Sequence, residues 1–332
     1  MTSRQSGALK GALLLVFTCS VLETHGSFVY AQQQEPATTA PAAPAAAPGR
    51  GGRGAAPLDP RVQIRSYRFT ETNEDLPYAV FVSSKVRSDT KAPLVIALHG
   101  LGGNHTTMMR GNALDLAEQG GYILVGPMGY SPSGWYGGPA VGGPGRRGRG
   151  PGAPGAPGAP GANPAAAPPQ APAAARGPAP APVGGQAVTD PDKVSELSEK
   201  DVMTVLDMIR KEFNVDERRT YLMGHSMGGA GTMFLMVKHA RVWAAAAAIA
   251  PAAFRLQPAS LSQIPEMPVM IVHGDADTVV PVTVSRPWAA QLKQLNMNHR
   301  YIEVPGGDHG NVISIGMPDI FAFFNANTKP AR

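Results

Sequence analysis

The stretch Tyr221-Leu222-Met223-Gly224-His225-Ser226-Met227-Gly228-Gly229 decides how the rest of the chain is read. A short apolar run passes into a G-x-S-x-G-G turn and then into a helix-like segment, the layout of a nucleophile elbow. A serine hydroxyl is a weak nucleophile near neutral pH. Catalysis through it needs an exposed, sharply turned strand end where a histidine can take the proton. Ser226 occupies that position. Gly224 and Gly228 stand where a Cβ would collide with neighbouring backbone, and a helix beginning at Met227 would aim its first N–H groups at the reacting centre. The pentapeptide alone is a weak signal, because a chain with 39 glycines can produce it by chance. Its meaning depends on what surrounds it.

Arg4 and Lys10 precede an apolar stretch from Ala12 to Leu22, and Val29-Tyr30-Ala31 offers a small-x-small cleavage site, so residues 1–31 read as a signal peptide. The apolar run is too short to span a bilayer comfortably, and no stable membrane insertion of the mature form is expected. Cys19 is the only cysteine and falls inside this leader, where Phe17 and Thr18 fit a lipoprotein site poorly. A mature chain without cysteine excludes a disulfide scaffold and suits a secreted or periplasmic protein stabilised by its core. The formal charge of +5 hints at nucleic acid, but Arg50, Arg53, Arg146, Arg147, Arg149 and Arg176 lie in low-complexity arms and Arg4 and Lys10 in the leader. The remainder is close to neutral, so nucleic acid is not an expected partner.

Residues 32–57 are Ala, Pro, Gln and Gly with almost no large apolar side chains, a composition that cannot offset ordering entropy and reads as a disordered linker. A second such stretch, at about 138–187, carries Gly-Ala-Pro triplets from Gly152, Gly155 and Gly158. Three triplets cannot sustain a collagen triple helix, and the stretch reads as a flexible Pro/Gly/Ala-rich insertion. Removing both leaves about 220 residues within 58–328, enough for one domain.

Val62 to Thr70 and Tyr78 to Ser84 predict an opening hairpin, and the fully apolar Leu94 to Leu98 a buried strand that stops at His99-Gly100. Met108 to Gln119 predicts a helix and Tyr122 to Val125 a strand. Val202, Val205, Leu206, Ile209 and Phe213 fall on one helical face, with Ser198 and Asp201 in capping-box positions ahead of them. Strand and elbow (220–223), helix (227–239), strands (243–249 and 268–272), helix (284–295), strand (300–304) and helix (313–324) follow. Alternating strand and helix after an antiparallel start implies an α/β fold, a mostly parallel sheet with helices on both faces.

With these elements in place, the chain resembles the α/β-hydrolase superfamily over nearly all of its foldable sequence, through LPYAVFV, PLVIALHGLGGN, YLMGHSMGG and VHGDADTVVP. The last segment resembles the H-G-x-x-D-x-x-V-P stretch of esterases, which implies Asp277 as the triad acid. Asp275, two residues away, is the close competitor, with capping the turn as its more usual role. Eight histidines are present, so chain order selects among them. The superfamily runs serine, acid, histidine, and only His299 and His309 follow Asp277. His299 precedes the last predicted strand, at the wrong end, which leaves His309 in the loop Pro305-Gly306-Gly307-Asp308-His309-Gly310. His225 and His273 read as structural neighbours of their motifs, and Asp308 as a loop-stabilising residue. Leu98 to Asn104 resembles the H-G-x-G-G oxyanion loop, implying the backbone N–H groups of Leu101 and Met227 as donors. The same glycines would equally suit a plain connector or a phosphate cradle, but no G-K-[ST] follows. No H-E-x-x-H pattern or Cys/His pairing is present, and neither metal nor cofactor is expected.

The nearest resemblance is to secreted esterases of the polyhydroxybutyrate-depolymerase-like and feruloyl-esterase-like group. It implies a serine carboxylesterase acting on a small-molecule or polymeric ester. Tyr130, Trp135 and Tyr136 lie beyond a strand end on the expected active-site side, where they would form an aromatic wall or pack beneath the insertion. Phe254 is a further pocket candidate, with core packing as the alternative. A prolyl-oligopeptidase-type peptidase and a noncatalytic binding protein on the same fold are the competing functions. The sequence assigns no oligomeric state.

Overall fold

Alternate residues of the central strands face opposite ways, and in this chain both sets are apolar, so a helical layer must cover each face. The computed structural model, which describes residues 57–139 and 184–330, has that arrangement. Eight strands run β1 (Gln63–Phe69), β2 (Glu74–Val82), β3 (Ala92–Leu98), β4 (Ile123–Pro127), β5 (Val215–His225), β6 (Ala245–Ile249), β7 (Val269–Gly274) and β8 (His299–Val304). They form one sheet in the order β1-β2-β4-β3-β5-β6-β7-β8, with β2 antiparallel to both β1 and β4 and every other pairing parallel. The helices are α1 (Asn112–Gly120), α2 (Pro191–Glu212), α3 (Met227–Lys238), α4 (Arg286–Gln294) and α5 (Asn311–Ala326).

Leu94, Ile96 and Leu98 of β3 share a core with α2, α3 and α4, while Val95 and Ala97 join the core beneath α1 and α5. Both sets are fully buried. Each such leucine, isoleucine or valine side chain stabilises the fold by about 1.5–3 kcal/mol relative to exposure. Among the described residues no helix is long and apolar enough to cross a membrane. The leader and most of the linker and insertion fall outside the described residues.

Two elements differ from expectation. The first helix begins at Asn112, because Asn104–Gly111 is taken up by turns that leave Met108 and Met109 buried but not helical. The helix α2 begins not near Ser198 but at Pro191, with Asp190 as its N-cap accepting from Lys193 N–H at 2.9 Å. Ser198 and Asp201 therefore lie inside α2, fully buried, and bind a neighbouring loop instead of capping.

Candidate active site

Strand register brings the chemistry to one edge. The end of β3 pairs with the end of β5 (Leu98 opposite Gly224), and the end of β7 with the end of β8 (Gly274 opposite Val304). The loops that leave these strands are therefore neighbours, at the carboxyl ends where open α/β sheets form their sites. At the elbow, Ser226 holds φ 57° and ψ −115°, a left-handed backbone that a non-glycine residue adopts only when its surroundings enforce it. Its N–H donates to Ile249 O at 2.9 Å, and its carbonyl accepts from Ala230 and Ala252 at 3.0 Å each. A Cβ on Gly224 would stand 2.3 Å from Gly228 O, and one on Gly228 would stand 2.4 Å from Leu98 O, so the turn closes only with glycine at both positions.

The structure brings together all three expected side chains. His309 Nε2 lies 2.9 Å from Ser226 Oγ, and His309 Nδ1 lies 2.6 Å from Asp277 Oδ2. With a carboxylate as acceptor at Nδ1, the neutral ring carries its proton there and presents the Nε2 lone pair to the serine hydroxyl. Burial pushes the Asp277 carboxyl up, but hydrogen bonds from His309 and from the Val280 and Val279 N–H groups outweigh it and hold the group below its ordinary value. Asp275 does something else: its Oδ1 accepts from Gly306 N–H at 2.6 Å and ties the acid loop to the histidine loop. Asp308 accepts from Gly310 and Asn311 N–H at 2.8 and 2.7 Å, steadying the start of α5. His299 opens β8 at the opposite end of the sheet.

Two further histidines brace this edge. Burial and the adjacent His309 push the pKa of His225 down to about 4, so the ring is neutral near pH 7. Its Nε2 faces His309 O at 2.7 Å, and since a carbonyl only accepts, Nε2 is the protonated nitrogen. His273 donates from Nε2 to Val280 O at 2.8 Å and accepts at Nδ1 from Ser285 Oγ at 2.7 Å, which fixes the loop carrying Asp277.

The glycine-rich loop after β3 abuts the elbow, since a Cβ on Gly100 would stand 3.2 Å from Ser226 Cβ. Gly102 and Gly103 donate their N–H groups to Pro132 O and Gly100 O at 2.8 and 3.0 Å. Among the described residues no such acceptor takes the N–H of Leu101 or of Met227, the first residue of α3. No group of three or more metal-ligating side chains occurs among the described residues.

The aromatic residues after β4 are not a wall. Tyr130 and Tyr136 are fully buried and Trp135 nearly so. Tyr130 donates its hydroxyl to Glu74 and packs on Phe69, and Tyr136 donates to His99 O. All three hold positive φ, a backbone uncommon for bulky residues. Phe254, after β6, is 49% exposed instead, and so are Leu101 (52%) and Val279 (65%) in the loops after β3 and β7. In sequence, Leu101 stands out for its backbone alone and Val279 not at all; a large apolar residue beside the H-G-x-G-G-like or H-G-x-x-D motif is the signal that marks both.

A family model described as PETase, PET hydrolase-like, matches residues 171–324, just under half of the chain. A bifunctional acetylxylan esterase/xylanase from Neocallimastix patriciarum is 35% identical over 100 residues, 30% of this chain and 14% of that protein's length. A ferulic acid esterase from Anaeromyces mucronatus, solved with ferulic acid, superposes with a TM-score of 0.56 at 18% identity, covering 83% of this chain and 93% of that one. A thermostable esterase does so with a TM-score of 0.55 at 20% identity, covering 82% of this chain and 64% of that one. The chain thus spans less than two thirds of both the curated relative and the thermostable esterase. With this sheet order, an elbow after β5 and these structural neighbours, the chain has an α/β-hydrolase fold.

Proposed function

We propose that this protein is an exported serine hydrolase that cleaves carboxylic esters through an acyl-enzyme, with Ser226 as nucleophile, His309 as base and Asp277 as the acid that orients it. One observation carries the reading: a single imidazole reaches the serine hydroxyl with one nitrogen and a buried carboxylate with the other, at 2.9 and 2.6 Å. Ser226 Oγ attacks the ester carbonyl carbon while His309 Nε2 takes its proton, and Asp277 stabilises the imidazolium that results. The carbonyl oxygen becomes an oxyanion that accepts from the Leu101 and Met227 N–H groups, with the amino end of α3 behind it. The tetrahedral adduct collapses, and His309 returns the proton to the leaving alkoxide. Water then attacks the acyl-serine along the same path, giving up its proton to His309, which passes it back to Ser226 as the acid departs. The scheme requires no cofactor.

For the acyl group, Leu101, Phe254 and Val279 are exposed in the loops that follow β3, β6 and β7, and we take them as an apolar rim to the site. Such a rim favours an aromatic or extended apolar acyl group over acetyl, because it offers area that acetyl cannot bury. That agrees with the PET hydrolase-like and ferulic acid esterase likenesses more than with the acetylxylan one. The leader read over residues 1–31 supports export.

The test is labelling by a fluorophosphonate and steady-state hydrolysis of nitrophenyl esters beside peptide amides. Wild-type labelling that disappears in Ser226→Ala, with ester but no amide turnover, is the expected result. An unlabelled wild type, or equal labelling of the variant, would falsify the catalytic reading, and preferred amide turnover would make the protein a peptidase. A panel of acetyl, butyryl, feruloyl and polyester substrates then ranks the acyl groups.

A further inference from the structure

The loop after β4 carries no side chain that the proposed chemistry uses, yet it makes three bonds to the oxyanion loop. Tyr136 Oη donates to His99 O at 3.1 Å, Gly102 N–H donates to Pro132 O at 2.8 Å, and His99 Nε2 lies 2.7 Å from Met128 O. The Tyr136 ring also stands edge-on to His99, with centroids 5.7 Å apart and planes at 68°. Its other side is filled by the elbow helix: a Cβ on Gly231 would lie 2.6 Å from Tyr136 Cδ2. Tyr136 thus lies between the oxyanion loop and α3, in contact with the two backbones whose N–H groups must face one oxygen.

The loop is itself held under strain. Tyr130, Trp135 and Tyr136 have φ of 58°, 55° and 52°. A bulky residue in the left-handed region costs about 1–3 kcal/mol and persists only when its surroundings over-determine it. Two buried groups of α2 do so. Ser198 Oγ accepts from Tyr136 N–H at 3.1 Å, and Asp201 Oδ2 accepts from Gly129 and Tyr130 N–H at 2.6 and 3.2 Å while its Oδ1 accepts from Tyr67 Oη at 2.5 Å. A carboxylate inside the core and three left-handed aromatics serve no packing purpose that leucines on a regular loop would not serve better.

We infer that Tyr136 is a positioning residue for the oxyanion loop, fixing the backbone from His99 to Gly102 through its hydroxyl, and that Ser198 and Asp201 hold Tyr136 in the conformation that lets it do so. The inference rests on the esterase reading above. Oxyanion donors act only when preorganised around the tetrahedral oxygen, so a slackened loop weakens the transition state and leaves substrate binding nearly unchanged.

Tyr136→Phe keeps the ring and removes one hydroxyl. Removing an oxyanion donor outright lowers kcat by about 10²–10³-fold, and loosening its support is expected to lower kcat by ~10-fold. On 4-nitrophenyl butyrate, KM should stay within about twofold, and the inhibition constant of a phenylboronic acid, whose tetrahedral adduct fills the same hole, should rise in step with the fall in kcat/KM. Tyr122→Phe is the control, since it removes another buried tyrosine hydroxyl, bonded to Asn325 at 2.6 Å beneath the opposite face of the sheet. It should leave kcat within about twofold. Should Tyr136→Phe fail to fold, Ser198→Ala removes only the acceptor of the Tyr136 N–H and should show the same pattern at about threefold. The inference fails if the folded variant turns over at the wild-type rate, if the loss falls on KM instead, or if Tyr122→Phe loses as much. Wild-type labelling by fluorophosphonate in the same experiment separates these outcomes from a failure of the esterase reading itself.

Discussion

On one flank of Ser226, Asp277 and His309 come from the loops after β7 and β8, and most of their supporting contacts are made within or between those loops, with His225 at the end of β5 adding one to His309 O. Asp277 takes the Val279 and Val280 N–H groups two and three residues on, His273 reaches Val280 O seven residues on, and Asp275 joins the two loops through Gly306 N–H. On the other flank, the glycine-rich loop after β3, proposed above to hold the oxyanion, is supported by the loop after β4, which is held in turn by α2, some seventy residues further along the chain. The first flank is a set of motifs and the second an assembly. Side chains that do chemistry need a fixed spacing from a strand end and so leave a pattern in sequence, whereas groups that only hold backbone can come from any element that packs there.

This contrast can be broken hardest at the motif flank. Ser226→Ala is expected to lower kcat by about 10⁵–10⁶-fold, measured by nitrophenyl ester hydrolysis, because base and acid contribute little without a nucleophile. Asp277→Asn should lower it by about 10⁴-fold, since an amide no longer favours the Nδ1-protonated ring. Asp275→Asn keeps an acceptor for Gly306 and should lose less than about tenfold. Equal losses at the two positions would mean that the acid is not uniquely Asp277. The carboxyl of Asp277 is held below its ordinary 3.8, so it stays ionised down to that pH and its contribution to stability is lost only on further acidification.

The assembly flank is sharpened by pH. Burial raises the pKa of Asp201 to about 6, more than its three hydrogen bonds lower it. Its ordinary value is 3.8, so below that pH both folded and unfolded chains hold the proton and nothing is lost. Between 3.8 and about 6 the unfolded chain gives up its proton first, so stability falls as pH rises through that window and is level above it. A shift of this size corresponds to about 3 kcal/mol. Thermal unfolding of wild type and Asp201→Asn from pH 4 to pH 7 should show the wild type losing stability relative to the variant across the window. Parallel curves would mean that Asp201 titrates as an ordinary surface carboxylate and that α2 does not bear on the loop in the way described.

The same contrast explains what the sequence disclosed. Sheet, elbow and the positions of Asp277 and His309 follow from apolar runs ending in short polar motifs. Ser198 and Asp201 imitate a cap inside α2, while the true start signal, Asp190 followed by Pro191, stands eight residues before Ser198 at the edge of the low-complexity stretch. The sequence leaves Tyr130, Trp135 and Tyr136 open between a pocket wall and packing beneath the insertion, because a loop beyond a strand end normally lies at the surface. Their burial goes with positive φ at all three and with hydrogen bonds from Gly129, Tyr130 and Tyr136 to two buried groups of α2. Neither shows as a period or a spacing.

The smallest expected effect concerns the Pro/Gly/Ala-rich insertion, whose described flanks meet the oxyanion support directly. Gly138 N–H donates to Trp135 O at 2.9 Å and Gly138 O accepts from Ser195 Oγ at 2.7 Å. On the far side, Gly185 N–H donates to Tyr130 O at 2.6 Å, and Gln186 and Ala187 donate to Glu74 Oε1 at 2.6 and 3.0 Å. Both flanks are thus fastened by the folded domain itself, so the loop after β4 keeps its geometry whatever joins them. Replacing residues 140–183 by a short Gly/Ser bridge should leave turnover of soluble esters within about twofold, because long surface insertions change closure entropy only slowly with length. Turnover on an insoluble polyester is measured beside it. A loss confined to the insoluble substrate would make the insertion a tether to surfaces. A tenfold loss of kcat on the soluble one, matching that expected of Tyr136→Phe, would extend the assembly flank to include the insertion.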